Sequence, residues 1–129
     1  MPIFREVTRP LYYLDRGAGE PLLLIHGLGS SAADWAFRIP ALAPHCRVIA
    51  PDLPGCGHRA APEGGYEIPG MAQALWALLD GLGIPAASIV GFSLGGAVAL
   101  EMALQRPDAV PRLAIINSLA TYRIDTWRK

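Results

Sequence analysis

Short apolar runs alternate along this chain with longer stretches of helical character, and this alternation limits the fold more than any other feature. Each short run is rich in branched residues and too short for a helix, and its continuous apolarity predicts burial on both faces of a sheet. Such an order of elements predicts an α/β fold with a doubly wound, mostly parallel sheet and helices on both faces. The predicted strands are 11–14, 22–25, 47–50, 88–90 and 113–116, and the predicted helices are 32–39, 68–82 and 94–106.

Two of these predictions concern how the elements pack. Turn-forming residues at 15–19 separate the first two strands, which predicts a β-hairpin at the start of the sheet. The helix 94–106 is almost entirely apolar as far as Glu101, and Pro107 forbids its continuation. A helix that is apolar all round belongs in the interior of the protein.

Charge and cysteine content exclude several classes of function. Eleven basic and eleven acidic residues cancel, so no net field attracts nucleic acid or an anionic membrane surface. Cys46 and Cys56 lack the spacing of a redox or zinc motif, which indicates reduced thiols. Residues 1–10 lack the apolar core of a secretory signal, and no apolar run approaches the roughly twenty residues of a membrane span. We expect one cytoplasmic domain over residues 1–129, without a metal.

The segment 91–95, Gly-Phe-Ser-Leu-Gly, carries the clearest chemical signal. It follows a predicted strand and opens a predicted helix, the context of a G-x-S-x-G turn that presents a nucleophilic serine. Gly91 and Gly95 leave room for a sharp turn, and the helix N-terminus favours negative charge that develops beside Ser93. We predict that Ser93 is the nucleophile and that the Leu94 amide is an oxyanion donor. The alternative is a serine that only caps a helix.

A second signal lies at 26–29, His-Gly-Leu-Gly, directly after the predicted strand 22–25. A loop at this position could direct backbone N–H groups toward Ser93, and two such donors make an oxyanion hole. A third segment, Pro-Asp-Leu-Pro-Gly-Cys-Gly, occupies 51–57. Together and in this order, the three segments resemble those of the α/β-hydrolase family.

The resemblance covers most of the chain and implies the N-terminal half of an α/β-hydrolase fold, ending after about the sixth strand of that fold. It implies an esterase-like or lactonase-like serine hydrolase that cleaves a carboxylic ester or related acyl substrate through an acyl-enzyme, without a cofactor. By the same resemblance, Leu28 supplies the second oxyanion amide. His26 and Gly27 shape the loop, and His26 does not act as the base.

A dinucleotide-binding Rossmann domain is an alternative, because the segment 27–32 also fits G-x-G-x-x-A. Asp52 ends a predicted strand about twenty residues later, where such a domain places its acidic residue. This alternative leaves Ser93 and the segment 51–57 unexplained, whereas the hydrolase interpretation accounts for all three segments.

No histidine follows Ser93, although the family places its acid and its histidine after the nucleophile. We therefore interpret the chain as truncated, with the cap and the C-terminal part absent, and expect little turnover from it. Truncation would expose strand 113–116 as an apolar edge that could self-associate. The expected partner is a small acyl substrate, with no nucleic acid and no membrane. The alternative function is a non-catalytic module for binding or assembly.

Overall fold

The computed structural model describes residues 11–27, 31–53 and 67–116, and its central feature is a five-stranded sheet. In space the strands follow the order β1-β3-β2-β4-β5. β1 runs antiparallel to β3, and all other neighbours are parallel. The strands are β1 (Tyr13–Arg16), β2 (Pro21–Ile25), β3 (Arg47–Pro51), β4 (Ser88–Phe92) and β5 (Leu113–Ile116).

Helices lie on both faces of the sheet. Successive residues of a strand point to opposite faces, so Leu23 and Ile25 join one apolar cluster while Leu24 joins another. The first cluster contains the helices α2 and α3, and the second contains α1 and the first 3-10 helix. The helices are α1 (Ile39–Leu42), α2 (Ile68–Gly81) and α3 (Leu94–Gln105), with 3-10 helices at Ala32–Trp35 and Pro107–Ala109.

The predicted fold class is confirmed. The predicted interior position holds for the first half of α3 but not for its end, where Leu104 is 69% exposed. Its residues Gly95 to Ala99 and Met102 are all buried. The observed strand bounds differ from the predicted ones by no more than two residues. Continuous apolarity and turn-forming residues were therefore sufficient signals for most of the elements.

The predicted hairpin between the first two strands is wrong. β1 pairs with β3, in a register that places Arg16 opposite Val48. Gly17 turns the chain with a φ of 86°, and a Cβ at this position would overlap the carbonyl oxygen of Cys46. The turn therefore packs against the segment that precedes β3. Arg47 then ties β3 to β1 with two hydrogen bonds to the Asp15 carboxylate, at 3.1 and 2.8 Å.

The predicted helix 32–39 is two shorter elements. A 3-10 helix occupies Ala32–Trp35, where the Ser31 side chain accepts a hydrogen bond from the Ala33 amide at 3.3 Å. α1 then begins at Ile39 with Pro40 in its first turn. A proline is accommodated there because the first amides of a helix have no partner within it. The break between the two elements falls at 36–38, before Pro40.

Strand β5 departs from the prediction that every strand is buried on both faces. Leu113 is 37% exposed and Ile116 is 44% exposed. β5 is the last strand of the sheet as described, and its neighbour β4 ends in Phe92, which is 38% exposed. Among the described residues, this apolar strand lies at the edge of the sheet.

Candidate active site at the Ser93 turn

Ser93 lies between β4 and α3, where the chain reverses direction within a single residue. Its φ of 57° and ψ of −121° make it the only non-glycine residue with a positive φ among those that the structure describes. Such a conformation costs about 1–3 kcal/mol and persists only where surrounding contacts enforce it. Here the Ser93 amide donates to the carbonyl of Ile116 at 2.9 Å, and the Ser93 carbonyl accepts from the amide of Gly96 at 2.8 Å.

The glycines on either side of Ser93 allow three backbone segments to come close together. A Cβ on Gly91 would overlap the carbonyl oxygen of Gly95. A Cβ on Gly95 would overlap the carbonyl oxygen of Ile25, at the end of β2. Any side chain at these two positions would therefore force the start of α3 away from the sheet.

The start of the segment 26–29 lies directly beside the serine. A Cβ built on Gly27 would stand 3.1 Å from the Ser93 Cβ and 3.4 Å from Cδ2 of Phe92. The parallel pairing of β2 with β4, which sets Ile25 opposite Gly91, brings the two segments to the same end of the sheet. Two segments that are more than sixty positions apart in the printed sequence thus meet at one point.

His26 uses both of its ring nitrogens within the protein. Its side chain is 1% exposed. Nε2 accepts a hydrogen bond from the Leu53 amide at 2.8 Å, so Nε2 carries no hydrogen. Nδ1 then carries the hydrogen and donates it to the Gly27 carbonyl at 2.6 Å. This neutral ring has no free lone pair with which to accept a proton from Ser93.

Asp52 is fully buried, and its carboxylate accepts a hydrogen bond from the Ala32 amide at 2.6 Å. This contact argues against the Rossmann alternative, in which the equivalent carboxylate would face a ribose. The element that follows β2 is also only the short 3-10 helix Ala32–Trp35, which offers no long helix N-terminus to a pyrophosphate. Sequence reasoning gave Asp52 no structural role; its position directly after a buried strand was the available signal.

The remaining predicted site residues are placed as follows. Leu94 is the first residue of α3, and the first amides of a helix have no partner within it. Leu28 lies outside the described residues, as does Cys56. No group of three or more potential ligands for a metal ion occurs in the described parts of the chain. None of the helices described there is long and apolar enough to cross a membrane.

A groove with a volume of about 380 Å³ opens at the opposite end of the parallel strands. It lies beside Leu22, Ser88 and Arg112, near the beginnings of β2, β4 and β5. Ser93 instead follows the end of β4. The groove is therefore separate from the candidate active site.

Comparison with known proteins agrees with this geometry. The chain matches the family model of the alpha/beta hydrolase fold over residues 20–128. It is 44% identical over 101 residues to the magnesium-chelatase 30 kDa subunit of Rhodobacter capsulatus, a match that covers 78% of this chain and 35% of that protein. It is 40% identical over 108 residues to the 2-hydroxymuconate semialdehyde hydrolase of Pseudomonas sp. strain CF600, covering 81% of this chain and 38% of that protein.

A solved structure shows the same likeness in three dimensions. The meta-cleavage product hydrolase from Pseudomonas fluorescens IP01 superposes with a TM-score of 0.82 at 36% identity. The superposition covers 88% of this chain and 43% of that chain. The protein therefore belongs to the α/β-hydrolase fold family, whose relatives here include hydrolases, and it spans less than half the length of these three relatives.

Proposed function

We propose that the protein is the nucleophile-bearing part of a serine hydrolase that cleaves a carboxylic ester or a related acyl substrate. The observation that carries this proposal is the backbone of Ser93, which is strained in a turn between a strand and a helix. A serine that only capped a helix would adopt ordinary extended dihedral angles and gain from a side-chain hydrogen bond to the helix. Ser93 has neither feature.

In the proposed reaction the Ser93 hydroxyl oxygen attacks the acyl carbon, and its proton passes to a general base. The Leu94 amide, at the N-terminus of α3, donates to the oxyanion that forms. The Leu28 amide is proposed as the second donor. Collapse of the intermediate expels the alcohol, which takes the proton, and water then hydrolyses the acyl-enzyme with the same base.

The base is proposed to come from outside residues 1–129. No histidine follows Ser93 in the sequence, and the His26 ring is occupied by Gly27 and Leu53. A serine hydroxyl without a base is a weak nucleophile. The chain alone is therefore expected to show little turnover, although the turn that presents the serine is formed.

We choose an acyl substrate because a serine nucleophile attacks an acyl carbon to form an acyl-enzyme. The names of the two hydrolase relatives, one for 2-hydroxymuconate semialdehyde and one for a meta-cleavage product, support hydrolysis as the reaction class. The competing proposal is a non-catalytic module that retains the fold for binding or assembly. Reaction of Ser93 with a covalent probe would support the catalytic proposal, and a lack of reaction would support the non-catalytic module.

The test is covalent labelling of the purified chain with a fluorophosphonate probe, with and without added imidazole to replace the missing base. The modified residue is located by mass spectrometry, and Ser93→Ala is the matched control. We expect a single adduct on Ser93 that forms faster as imidazole is added. If a folded sample is not labelled at Ser93 under any of these conditions, the catalytic proposal fails and the non-catalytic module takes its place.

A further inference from the structure

The hydrogen bonds between β4 and β5 show which backbone groups of β5 point away from the sheet. The Ser93 amide donates to the carbonyl of Ile116 at 2.9 Å, so the backbone groups of Ile116 face β4. Backbone groups of successive residues in a strand point to opposite sides, so those of Ala114 face β4 as well. The N–H and C=O groups of Leu113 and Ile115 therefore lie at the outer edge of the strand.

This outer edge lacks the features that usually protect an edge strand. Proteins blunt such edges with lysine, proline, a bulge or a covering element. The four residues of β5 are Leu-Ala-Ile-Ile, without a charge or a proline, and Leu113 and Ile116 are both exposed. Within the described ranges no strand lies beyond β5 in the sheet. The edge is thus suited to pairing with a further strand.

A second copy of β5 matches the hydrogen-bonding pattern of this edge. In an antiparallel pair, outward-facing residues must lie opposite each other, because each such pair exchanges two N–H···O bonds. Two copies of β5 satisfy this rule when Leu113 of each copy lies opposite Ile115 of the other. Moving the register one pair toward the start of the strand would place Pro111 opposite Ile115, and proline has no N–H to donate.

The side chains also fit this register. Ala114 lies on the twofold axis and meets Ala114 of the second copy, in a non-hydrogen-bonded pair whose Cα atoms are about 4.5 Å apart. A methyl group suits so close an approach. Leu113 and Ile115 form apolar cross-strand pairs, on the sheet face that carries the buried Ile89. Arg112 lies opposite an isoleucine, so no like charges are directly opposed.

We propose that two copies of this chain pair antiparallel through β5, with a twofold axis at Ala114, to form one continuous sheet. A four-residue strand buries less than the roughly 1,200 Å² of a stable interface, so the dimer is weak and its population depends on protein concentration. The inference does not rest on the proposed function, because the Ser93 side chain takes no part in the pairing.

The first test is sedimentation equilibrium of the 129-residue chain at concentrations from micromolar to millimolar. We expect a reversible monomer–dimer equilibrium. Leu113→Lys should weaken it by roughly tenfold, because the twofold symmetry introduces the charge into the interface twice. The matched control is Leu104→Lys, which changes a 69% exposed leucine in α3 and should leave the dimerisation constant unchanged. Circular dichroism establishes that each variant is folded.

The second test determines the register by disulfide cross-linking. Cys46 and Cys56 are first replaced by serine, and a single cysteine is then introduced in β5. Ala114→Cys should form a disulfide between two copies in a glutathione redox buffer, since the expected Cα separation lies within the range that a disulfide spans. Ile116→Cys is the control on the same strand, because the two copies of residue 116 would lie roughly 13 Å apart along the strands.

A wild-type chain that stays monomeric over the whole concentration range would overturn the proposal, and this result does not depend on the folding of any variant. A dimer that Leu113→Lys and Leu104→Lys affect equally would overturn it too, because a surface other than β5 would then hold the copies together. Equal cross-linking of Ala114→Cys and Ile116→Cys would overturn the register with its axis at Ala114.

Discussion

Two segments meet at Ser93, and they are held in place by different means. The turn 91–95 is held by close packing, since Gly91 and Gly95 have no space for a side chain and Ser93 is locked in a strained conformation. The described residues on either side of 28–30 are held by hydrogen bonds to residues that follow β3: the His26 ring accepts from the Leu53 amide, and the Ala32 amide donates to Asp52. Substitutions in the turn should therefore destabilise the protein through steric overlap. Substitutions that affect the segment after β2 should destabilise it by leaving buried polar groups without hydrogen bonds.

The largest effect is expected from a methyl group in the turn. Gly95→Ala would push a Cβ into the carbonyl oxygen of Ile25, and the neighbouring backbone has no flexible end that could move away. We expect a loss of roughly 3 kcal/mol in the free energy of unfolding, at the upper end for an overpacked site. Urea denaturation followed by circular dichroism measures it.

Gly70→Ala is the matched control for this substitution. Gly70 lies in α2, and a Cβ there would meet nothing within 4 Å. Alanine in place of an unconstrained helical glycine should stabilise the protein by about 0.5–1 kcal/mol. Similar losses in both variants would contradict the claim that space, and not the loss of glycine as such, governs the turn.

The next effect concerns the hydrogen-bonded segment. Asp52→Leu would leave the buried Ala32 amide without the carboxylate that now accepts its hydrogen. An unsatisfied buried donor costs about 1–3 kcal/mol, so we expect a loss of about 2 kcal/mol in the same denaturation assay. Asp52→Asn retains an acceptor and should lose clearly less. Equal losses of stability in the two variants would show that Asp52 does not stabilise the protein through its hydrogen bond to Ala32.

A smaller difference in stability is expected between two substitutions of Ser93, the proposed nucleophile. Glycine adopts the dihedral angles of Ser93 without strain, whereas alanine does not. Ser93→Gly should therefore be more stable than Ser93→Ala by about 1 kcal/mol, after the greater entropy of unfolded glycine is allowed for. Differential scanning calorimetry of the two variants provides the comparison. A Ser93→Ala variant as stable as Ser93→Gly would mean that the turn stores no strain.

The smallest effect lies at the edge of the sheet, away from both segments. A hydrogen bond from Arg47, aided by its charge, lowers the pKa of Asp15 below its ordinary value of 3.8. The unfolded chain therefore binds the proton first, so the stabilisation is complete well above pH 3.8 and is lost as the pH falls through the lower pKa of the folded state. Both side chains are about 30% exposed, so the effect is small.

The measurement for this pair is the urea midpoint of unfolding from pH 6 down to pH 2.5, in the wild type and in Arg47→Gln. We expect the difference in stability between the two proteins to shrink as the acid protonates Asp15. A difference that stays constant over this range would show that the pair contributes nothing through the Asp15 charge.

The contrast between the two segments also explains what the sequence could predict. The turn at Ser93 is local, since two glycines, a serine and the adjoining strand and helix suffice to indicate it, and continuous apolar runs predicted the parallel strands. The pairing of β1 with β3 and the link from Asp52 to Ala32 join residues about twenty or more positions apart. No local pattern distinguishes them from a hairpin or from an acidic residue that binds a ribose. The break at 36–38, inside the predicted helix 32–39, was not predicted.

The central proposal is that Ser93 is a nucleophile whose turn is already formed in this chain and whose general base is supplied from elsewhere. Hydrolysis of p-nitrophenyl acetate at increasing imidazole concentrations tests it most directly, with Ser93→Ala at each concentration as the reference for the reaction of imidazole alone. We predict little turnover without imidazole and a rate above the Ser93→Ala reference that rises with imidazole. Equal rates for the wild type and Ser93→Ala at every concentration, in samples shown to be folded, would contradict the claim.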